Sequence, residues 1–300
     1  MWENRVHVSI KRDDLIHPYI QGNKWRKLKY NLLKAKELGL KRLVTFGGAF
    51  SNHIHATAAV GQLFAFETIG IIRGERSDKG SPTLAFAEAA GMQITFLNRT
   101  DYRHRKDPDF LASIARKYPD AYIIPEGGSN ALALKGVAEI ITETDTQWAD
   151  RPPLTWCAAV GSGGTLAGLI RAAGAHDQVL GFSALKGDFV DDMVAGFLDQ
   201  AYTNWQIKKD VHWGGFAKWK PELIQFINDF YERTRIPLDP IYNGKLWYGL
   251  NQLILDGYFP KGSHVMVIHS GGLQGVNGFR HRFGSTLLPN WSFEDQESTF

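Results

Sequence analysis

Apolar positions recur along this chain at two spacings, every second residue in short runs and every third or fourth in longer ones, and the two kinds of run alternate. Residues 6–10 alternate and are rich in β-formers, which predicts a short strand. After a polar loop, apolar side chains return at Trp25, Leu28, Leu32, Ala35 and Leu38. That spacing predicts a long amphipathic helix, with Gly22 as a flexible approach, Asn23 as N-cap and Gly39 just past the end. The same reading gives strands over 42–46, 68–72, 94–97 and 122–124, and helices from 52 to about 64, over 81–90 and over 110–117. A charged stretch (98–109) and a turn (125–130) carry no periodicity. The second half gives helices over 132–144, 165–173, 189–200, 221–234 and 244–256, and strands over 155–160, 179–184 and 264–268. Residues 202–219 are aromatic and poorly patterned, and the tail after Arg282 shows no pattern.

Such alternation predicts an α/β protein: two open, mostly parallel twisted sheets of about four strands each, flanked by helices and linked by right-handed crossovers. Ligands in such sheets sit beyond the carboxyl ends of strands. Glycine-rich turns fall at three of those ends, after Phe46, Val160 and Ile268. Composition narrows the class. With 300 residues, 44% hydrophobic and 22% charged, the chain can build a substantial core in one large or two ordinary domains. A net charge of +3 without a long basic run gives no reason to expect nucleic acid. No apolar run reaches the roughly 18 residues of a membrane span, and the first residues hold no apolar signal core. The sole cysteine, Cys157, cannot form an intramolecular disulfide, so a reducing, cytoplasmic setting is expected.

The helix that starts near residue 23 breaks a local rule. Lys24, Arg26, Lys27 and Lys29 crowd its first turns, where the helix dipole favours anions and each cation costs on the order of 0.3–1 kcal/mol. Either these cations form a solvated face, or they serve chemistry. A bound phosphate would suit them, and the same setting depresses a lysine pKa toward what a Schiff-base amine needs. Gly161, Ser162, Gly163, Gly164 and Thr165 join a strand to a helix, so successive backbone N–H groups can cradle a phosphate. The alternative is a tight turn that needs small residues. No lysine precedes Thr165, and Leu166 stands where the dinucleotide fingerprint needs Gly or Ala, so the loop is neither a P-loop nor that fingerprint. Ser51, Asn52 and His53 open a helix, either as ordinary caps or as a carboxylate-binding start with a hydroxyl near the chemistry. His53 and His55 are two apart and do not face one ligand on a helix, and no histidine spacing suggests a metal. Tyr242 and Ser270 each have a plain structural reading, and no nucleophile elbow points to a hydrolase.

Seven runs, in order, carry a resemblance: Lys-Arg-Asp-Asp-Leu (11–15), Gly-Asn-Lys-Trp-Arg-Lys-Leu (22–28), Gly-Gly-Ala-Phe-Ser-Asn-His (47–53), Pro-Glu-Gly-Gly-Ser-Asn (125–130), Gly-Ser-Gly-Gly-Thr (161–165), Asp-Pro-Ile-Tyr-Asn-Gly-Lys (239–245) and His-Ser-Gly-Gly (269–272). To about Gly272 the chain resembles the 1-aminocyclopropane-1-carboxylate deaminase and D-cysteine desulfhydrase family, among the tryptophan-synthase-β-like pyridoxal-phosphate enzymes. The resemblance implies fold type II, with the active site between a larger domain (1–29 and 133–300) and a smaller one (30–132). It implies that Lys24 carries pyridoxal 5'-phosphate as a Schiff base, with Asn52 beside the phenolic oxygen and Ser270 near the pyridine nitrogen. Gly161, Ser162, Gly163, Gly164 and Thr165 would hold the phosphate, with Lys27 assisting. Ser51 and Tyr242 join Lys24 as catalytic residues, and Ser51, Asn52, His53 and Asn243 face a small amino-acid substrate. Members are usually homodimers. The chain begins later than members usually do, so an N-terminal segment is expected to be missing.

The chain also departs from the pattern. Asn243 stands where the deaminases carry glutamate and the desulfhydrases typically threonine; Ser270 stands where they carry leucine and threonine. A second family tyrosine falls within 212–214, where no tyrosine stands. A neutral hydroxyl beside the pyridine nitrogen leaves a weaker electron sink than a carboxylate. That suits β-elimination from a small, D-cysteine-like amino acid to a 2-oxo acid, ammonia and a leaving group such as hydrogen sulfide. Ring-opening deamination and racemisation stay open, as does a non-catalytic phosphate- or nucleotide-binding protein.

Overall fold

The computed structural model describes residues 6–284 and 286–288. The chain enters a first sheet with β1 (His7–Lys11) and leaves it through α1 (Asn23–Glu37). It then builds a second sheet: β2 (Arg42–Gly47), α2 (Asn52–Phe64), β3 (Glu67–Arg73), α3 (Pro82–Ala89), β4 (Gln93–Leu97), the single turn α4 (Arg99–Tyr102), α5 (Pro108–Lys117) and β5 (Ala121–Ile124). Helix α6 (Ala131–Gln147) returns to the first sheet, completed by β6 (Leu154–Val160), α7 (Gly164–Ala172), β7 (Gln178–Ser183), α8 (Phe189–Ala195), β8 (Trp205–Lys208), α9 (Pro221–Thr234), α10 (Asn243–Leu255), β9 (His264–Ile268) and α11 (Gln274–Phe283). Strand orders are β1-β9-β6-β7-β8 and β4-β3-β2-β5, and every pairing is parallel.

The strands' near-continuous apolar runs are explained by burial on both faces. In β6, Trp156, Ala158 and Val160 pack with α6 and α7, while Cys157 and Ala159 face α9 and α10. In β2, Leu43 packs toward α1 and α2, and Val44 and Phe46 pack toward α5. Cys157 is an inert core residue whose thiol pKa burial pushes up.

Caps set several helix starts. Ser51 Oγ accepts from His53 N–H (3.2 Å) at the head of α2, and Asn130 Oδ1 accepts from Ala133 N–H (2.9 Å) at α6. The Asp239 carboxylate accepts from the N–H groups of Ile241, Tyr242 and Asn243 and so starts α10. Three expectations change. Helix α8 ends at Ala195 and not near residue 200, because the chain turns at Gly196 to send Phe197 and Leu198 against the core. Residues 205–208, without legible pattern, form an edge strand too short for a period to show. The first sheet therefore has five strands. Part of the unpatterned tail lies outside the described residues.

Candidate active site

The carboxyl ends of β2, β5, β6 and β9 bring 48–52, 125–130, 161–164 and 269–274 around the first turn of α1. Gly22 lets that turn approach. Its φ is +53°, and a Cβ there would lie 2.1 Å from Ser270 O. Gly22, and not Asn23, is thus the N-cap residue of α1. Asn23 is the first helical residue; its N–H donates to Ser270 O (3.2 Å) and its Nδ2 to Thr165 Oγ1 (3.0 Å). One residue therefore ties α1 to two strand ends of the first sheet.

Lys24 and Lys27 enter this space together. Lys24 keeps some exposed surface, but its amine is desolvated, which pulls its pKa down to about 8. Among the described residues the amine has no hydrogen bond or ion pair. Lys27 is 1% exposed. Its Nζ donates to Ser129 Oγ (2.9 Å), Ser162 Oγ (3.2 Å) and Gly127 O (3.4 Å). All three are neutral oxygens, and burial, then Lys24, lowers its pKa well below the usual lysine range. A buried cation without a counter-charge is costly, and an anion placed here would offset that cost. Helix α7 begins at the same place, with Gly163 as its N-cap at φ +83° and no side-chain cap. Its first N–H groups are thus open to an anion. A Cβ at Gly164 would come within 2.6 Å of Ser129 Oγ, and one at Gly127 within 2.8 Å of Ser162 Oγ. Gly161 lies under the Tyr242 ring, where a Cβ would be 2.8 Å from Cε1. The cradle fits a phosphate and fits pyridoxal phosphate's pairing of a phosphate with an aldehyde that captures an amine.

On the side of the second sheet, Ser51 uses its lone pairs to cap α2, and its hydroxyl proton stays available to a ligand. His53 is 1% exposed and lies behind the cradle. Thr45 Oγ1 donates to Ile124 O (2.9 Å), so the His53 Nε2 at 2.8 Å must carry the proton and donate to Thr45. Nδ1 is then a bare, buried acceptor without a partner among the described residues. It lies near Gly128, where a Cβ would stand 3.3 Å away. Burial, then Lys24 and Lys27, holds this imidazole neutral.

On the other side, Tyr242 is kept in its protonated form, mainly by burial. Asn243, expected to face substrate, is fully buried with every amide group engaged. Its Nδ2 donates to Asp239 Oδ1 (2.8 Å) and Gly271 O (2.8 Å), and its Oδ1 accepts from Ser270 N–H (3.2 Å) and Ser270 Oγ–H (3.3 Å). Asn243 therefore orients Ser270 from behind and has no group left for a substrate. The Tyr242 ring packs against Phe216, with ring centres 6.0 Å apart.

Sequence reasoning also missed Gly127 and Ser129, although 125–130 follows a strand end just as the other loops do. Of the four cations, Arg26 and Lys29 neither enter the cradle nor form a freely solvated face. Arg26 is 4% exposed, chelated by Asp13 (2.9 and 3.0 Å) and bonded to Glu143, and Lys29 pairs with Glu139 (2.6 Å). A cavity of about 540 Å³ runs along the C-terminal half of α10, beside Trp213, and shares no residue with the cluster. Chemistry is assigned to the cluster, where a free amine, an uncompensated buried cation and an uncapped helix start converge.

Fold and cluster together define a pyridoxal-phosphate-dependent enzyme of fold type II, and the sequence profile described as pyridoxal-phosphate dependent enzyme matches residues 3–271. The chain is 30% identical to the bifunctional D-cysteine desulfhydrase/1-aminocyclopropane-1-carboxylate deaminase of Arabidopsis thaliana, over 97% of this chain and 78% of that one. A putative 1-aminocyclopropane-1-carboxylate deaminase of Pyrococcus horikoshii is also 30% identical, over 94% and 88% of the two chains. The crystal structure of an ACC deaminase homologue superposes with a TM-score of 0.78 at 27% identity, covering 94% of this chain and 89% of that one. The protein belongs to the 1-aminocyclopropane-1-carboxylate deaminase/D-cysteine desulfhydrase family of pyridoxal-phosphate enzymes. No helix among the described residues is long and apolar enough to cross a membrane.

Proposed function

We propose that the protein catalyses β-elimination from a small, D-cysteine-like amino acid: the Cβ substituent leaves as a group such as hydrogen sulfide, and water then hydrolyses the elimination product to a 2-oxo acid and ammonia. The observation that carries this reading is the neutral Ser270–Asn243 pair at the end of β9. It offers the cofactor ring a hydroxyl where a carboxylate would hold a proton.

In this reading Lys24 bears the cofactor, Lys27, Ser129 and the start of α7 hold its phosphate, and Asn52 and Ser270 flank its ring. Bound pyridoxal phosphate supplies an electron sink for the pair released at Cα. Lys24, whose desolvation by burial favours the neutral amine, takes the Cα proton as general base. Ser51 donates a hydrogen bond from its hydroxyl to the substrate carboxylate. Tyr242, kept neutral by burial, delivers a proton to the departing group. A leaving group on Cβ removes the electrons at once, so a weak sink suffices. The larger domain is assigned to 1–29 and 133–300, of which 1–5, 285 and 289–300 lie outside the described residues, and the smaller to 30–132, in a cytoplasmic homodimer.

The test is to load the protein with pyridoxal phosphate and screen D- and L-cysteine, β-chloroalanine, serine and 1-aminocyclopropane-1-carboxylate for 2-oxo acid. D-cysteine or β-chloroalanine is expected to respond, and Lys24→Ala is expected to lose both the visible band and turnover. Product from the cyclopropane substrate alone would instead assign ring-opening deamination. Inverted amino acid without 2-oxo acid would assign racemisation.

A further inference from the structure

The Asn52 amide is held from behind by a bridge that none of these roles uses. Thr83, 1% exposed on α3, donates from Oγ1 to Gln274 Oε1 at 3.1 Å. Gln274 opens α11 and donates from Nε2 to Asn52 Oδ1. Hydroxyl, glutamine carbonyl, glutamine N–H and asparagine carbonyl follow one another as donor and acceptor, so the bridge has a direction. With Oδ1 occupied, the Asn52 amino group is the end left for the site. Among the described residues Nδ2 has no hydrogen-bond partner. It lies against Gly272, where a Cβ would come within 2.6 Å, and Oδ1 lies against Gly275, where a Cβ would be 3.3 Å away. Bare backbone on both sides leaves room for the amide, and the bridge selects its orientation. The bridge also joins the halves of the molecule: Thr83 and Asn52 come from helices of the four-stranded half, and Gln274 from one of the five-stranded half.

We propose that Gln274, steadied by Thr83, is a positioning residue that fixes the Asn52 side chain with its amide hydrogens toward the cofactor, as donors to a ring oxygen beside Lys24. This rests on the reading of the cluster as the cofactor site. A donor on that oxygen withdraws negative charge from the conjugated system and so lowers its proton affinity. Freeing the amide removes the donor from its fixed place.

The experiment is a pH titration of the visible absorption band of pyridoxal-phosphate-loaded protein, with equilibrium cofactor affinity as a second readout. Neither measures turnover. In Gln274→Met, which keeps the length and loses both hydrogen bonds, the band midpoint is expected to rise by about one pH unit, tenfold in proton affinity. Cofactor affinity should fall several-fold. Thr83→Val removes only the outer hydroxyl and should shift the midpoint the same way by less, and Thr83→Ser should restore it. A merely structural glutamine would lower the melting temperature and leave the midpoint at the native pH; that result in both Gln274→Met and Thr83→Val overturns the proposal. If the native protein forms no visible band at all, the cofactor reading fails and this assignment with it. A native band with unmoved variant midpoints sinks this assignment alone.

Discussion

Lys24 and Lys27 lie three residues apart on one helix face, yet only Lys24 is left as a reactive amine. Lys27 spends its hydrogens on Ser129, Ser162 and Gly127, while Lys24 meets no acceptor among the described residues. Burial lowers the Lys24 pKa from 10.5 to about 8. The unfolded chain then binds the extra proton between those values, so the cost of burying the ammonium is full below about pH 8 and is relieved as pH rises toward 10.5. The same shift predicts reactivity. In cofactor-free protein, trapping of Lys24 by pyridoxal and borohydride, followed by peptide mapping, should rise with a midpoint near 8, below the ordinary lysine value of about 10.4. A Lys24 midpoint at the ordinary lysine value would mean that its amine is solvated. The sequence flags these two lysines because cations at a helix start defy the dipole. It misleads on Arg26, whose partners Asp13 and Glu143 lie 13 and 117 positions away. Side-chain pairing at that distance leaves no periodic trace.

Among the elements, α1 and α6 matter most, because α1 carries both lysines and α6 presses on its first turns. Gly136 makes the contact: a Cβ there would lie 1.9 Å from Arg26 O. Helix propensity alone predicts that Gly136→Ala stabilises α6 by about 1 kcal/mol. The obstructing atom is backbone and cannot swing away, so overpacking wins, and a net loss of roughly 2 kcal/mol is expected in urea denaturation. A gain in stability would show that α6 can slide over α1. Most elements were legible from apolar spacing, since α5 and α9 bury one stripe and β2, β3, β6 and β7 bury whole runs. Strand β8 was not, because four residues with one buried side chain hold no period. The N-cap of α1 was misassigned for a related reason. Asn23 has the right chemistry for a cap, but tertiary contact with Thr165 takes its amide.

At the scale of the molecule, one charged cluster ties the start of the chain and the first turns of α1 to α6 behind the active site. Arg26 on α1 holds Asp13 from the loop after β1, and Glu143 on α6 binds both Arg26 and Lys11. The two carboxylates respond oppositely. Burial outweighs Arg26 at Asp13 and raises its pKa, whereas the Arg26 hydrogen bond dominates at Glu143 and lowers its pKa to about 2. A carboxylate with a depressed folded pKa stabilises above its unfolded value, and loses that contribution as pH falls through the folded one. Glu143→Gln should therefore melt below the native protein near neutral pH, and the difference should close between about pH 4.5 and about 2. A melting difference that persists unchanged at pH 2 would mean that packing, and not charge, is what the substitution removes.

The amino-acid sequence by itself determined the alternation of strands and helices, the parallel architecture, the glycine loops and the pair of lysines, because each is written in spacing or composition over a few neighbouring residues. Only the tertiary structure decided that Asn243 is sealed behind Ser270, that Ser129 joins the cradle, and that Gln274 holds Asn52. Those assignments depend on which lone pair and which proton remain after segments far apart in the chain have met, and hydrogen-bond saturation is a property of the assembled site.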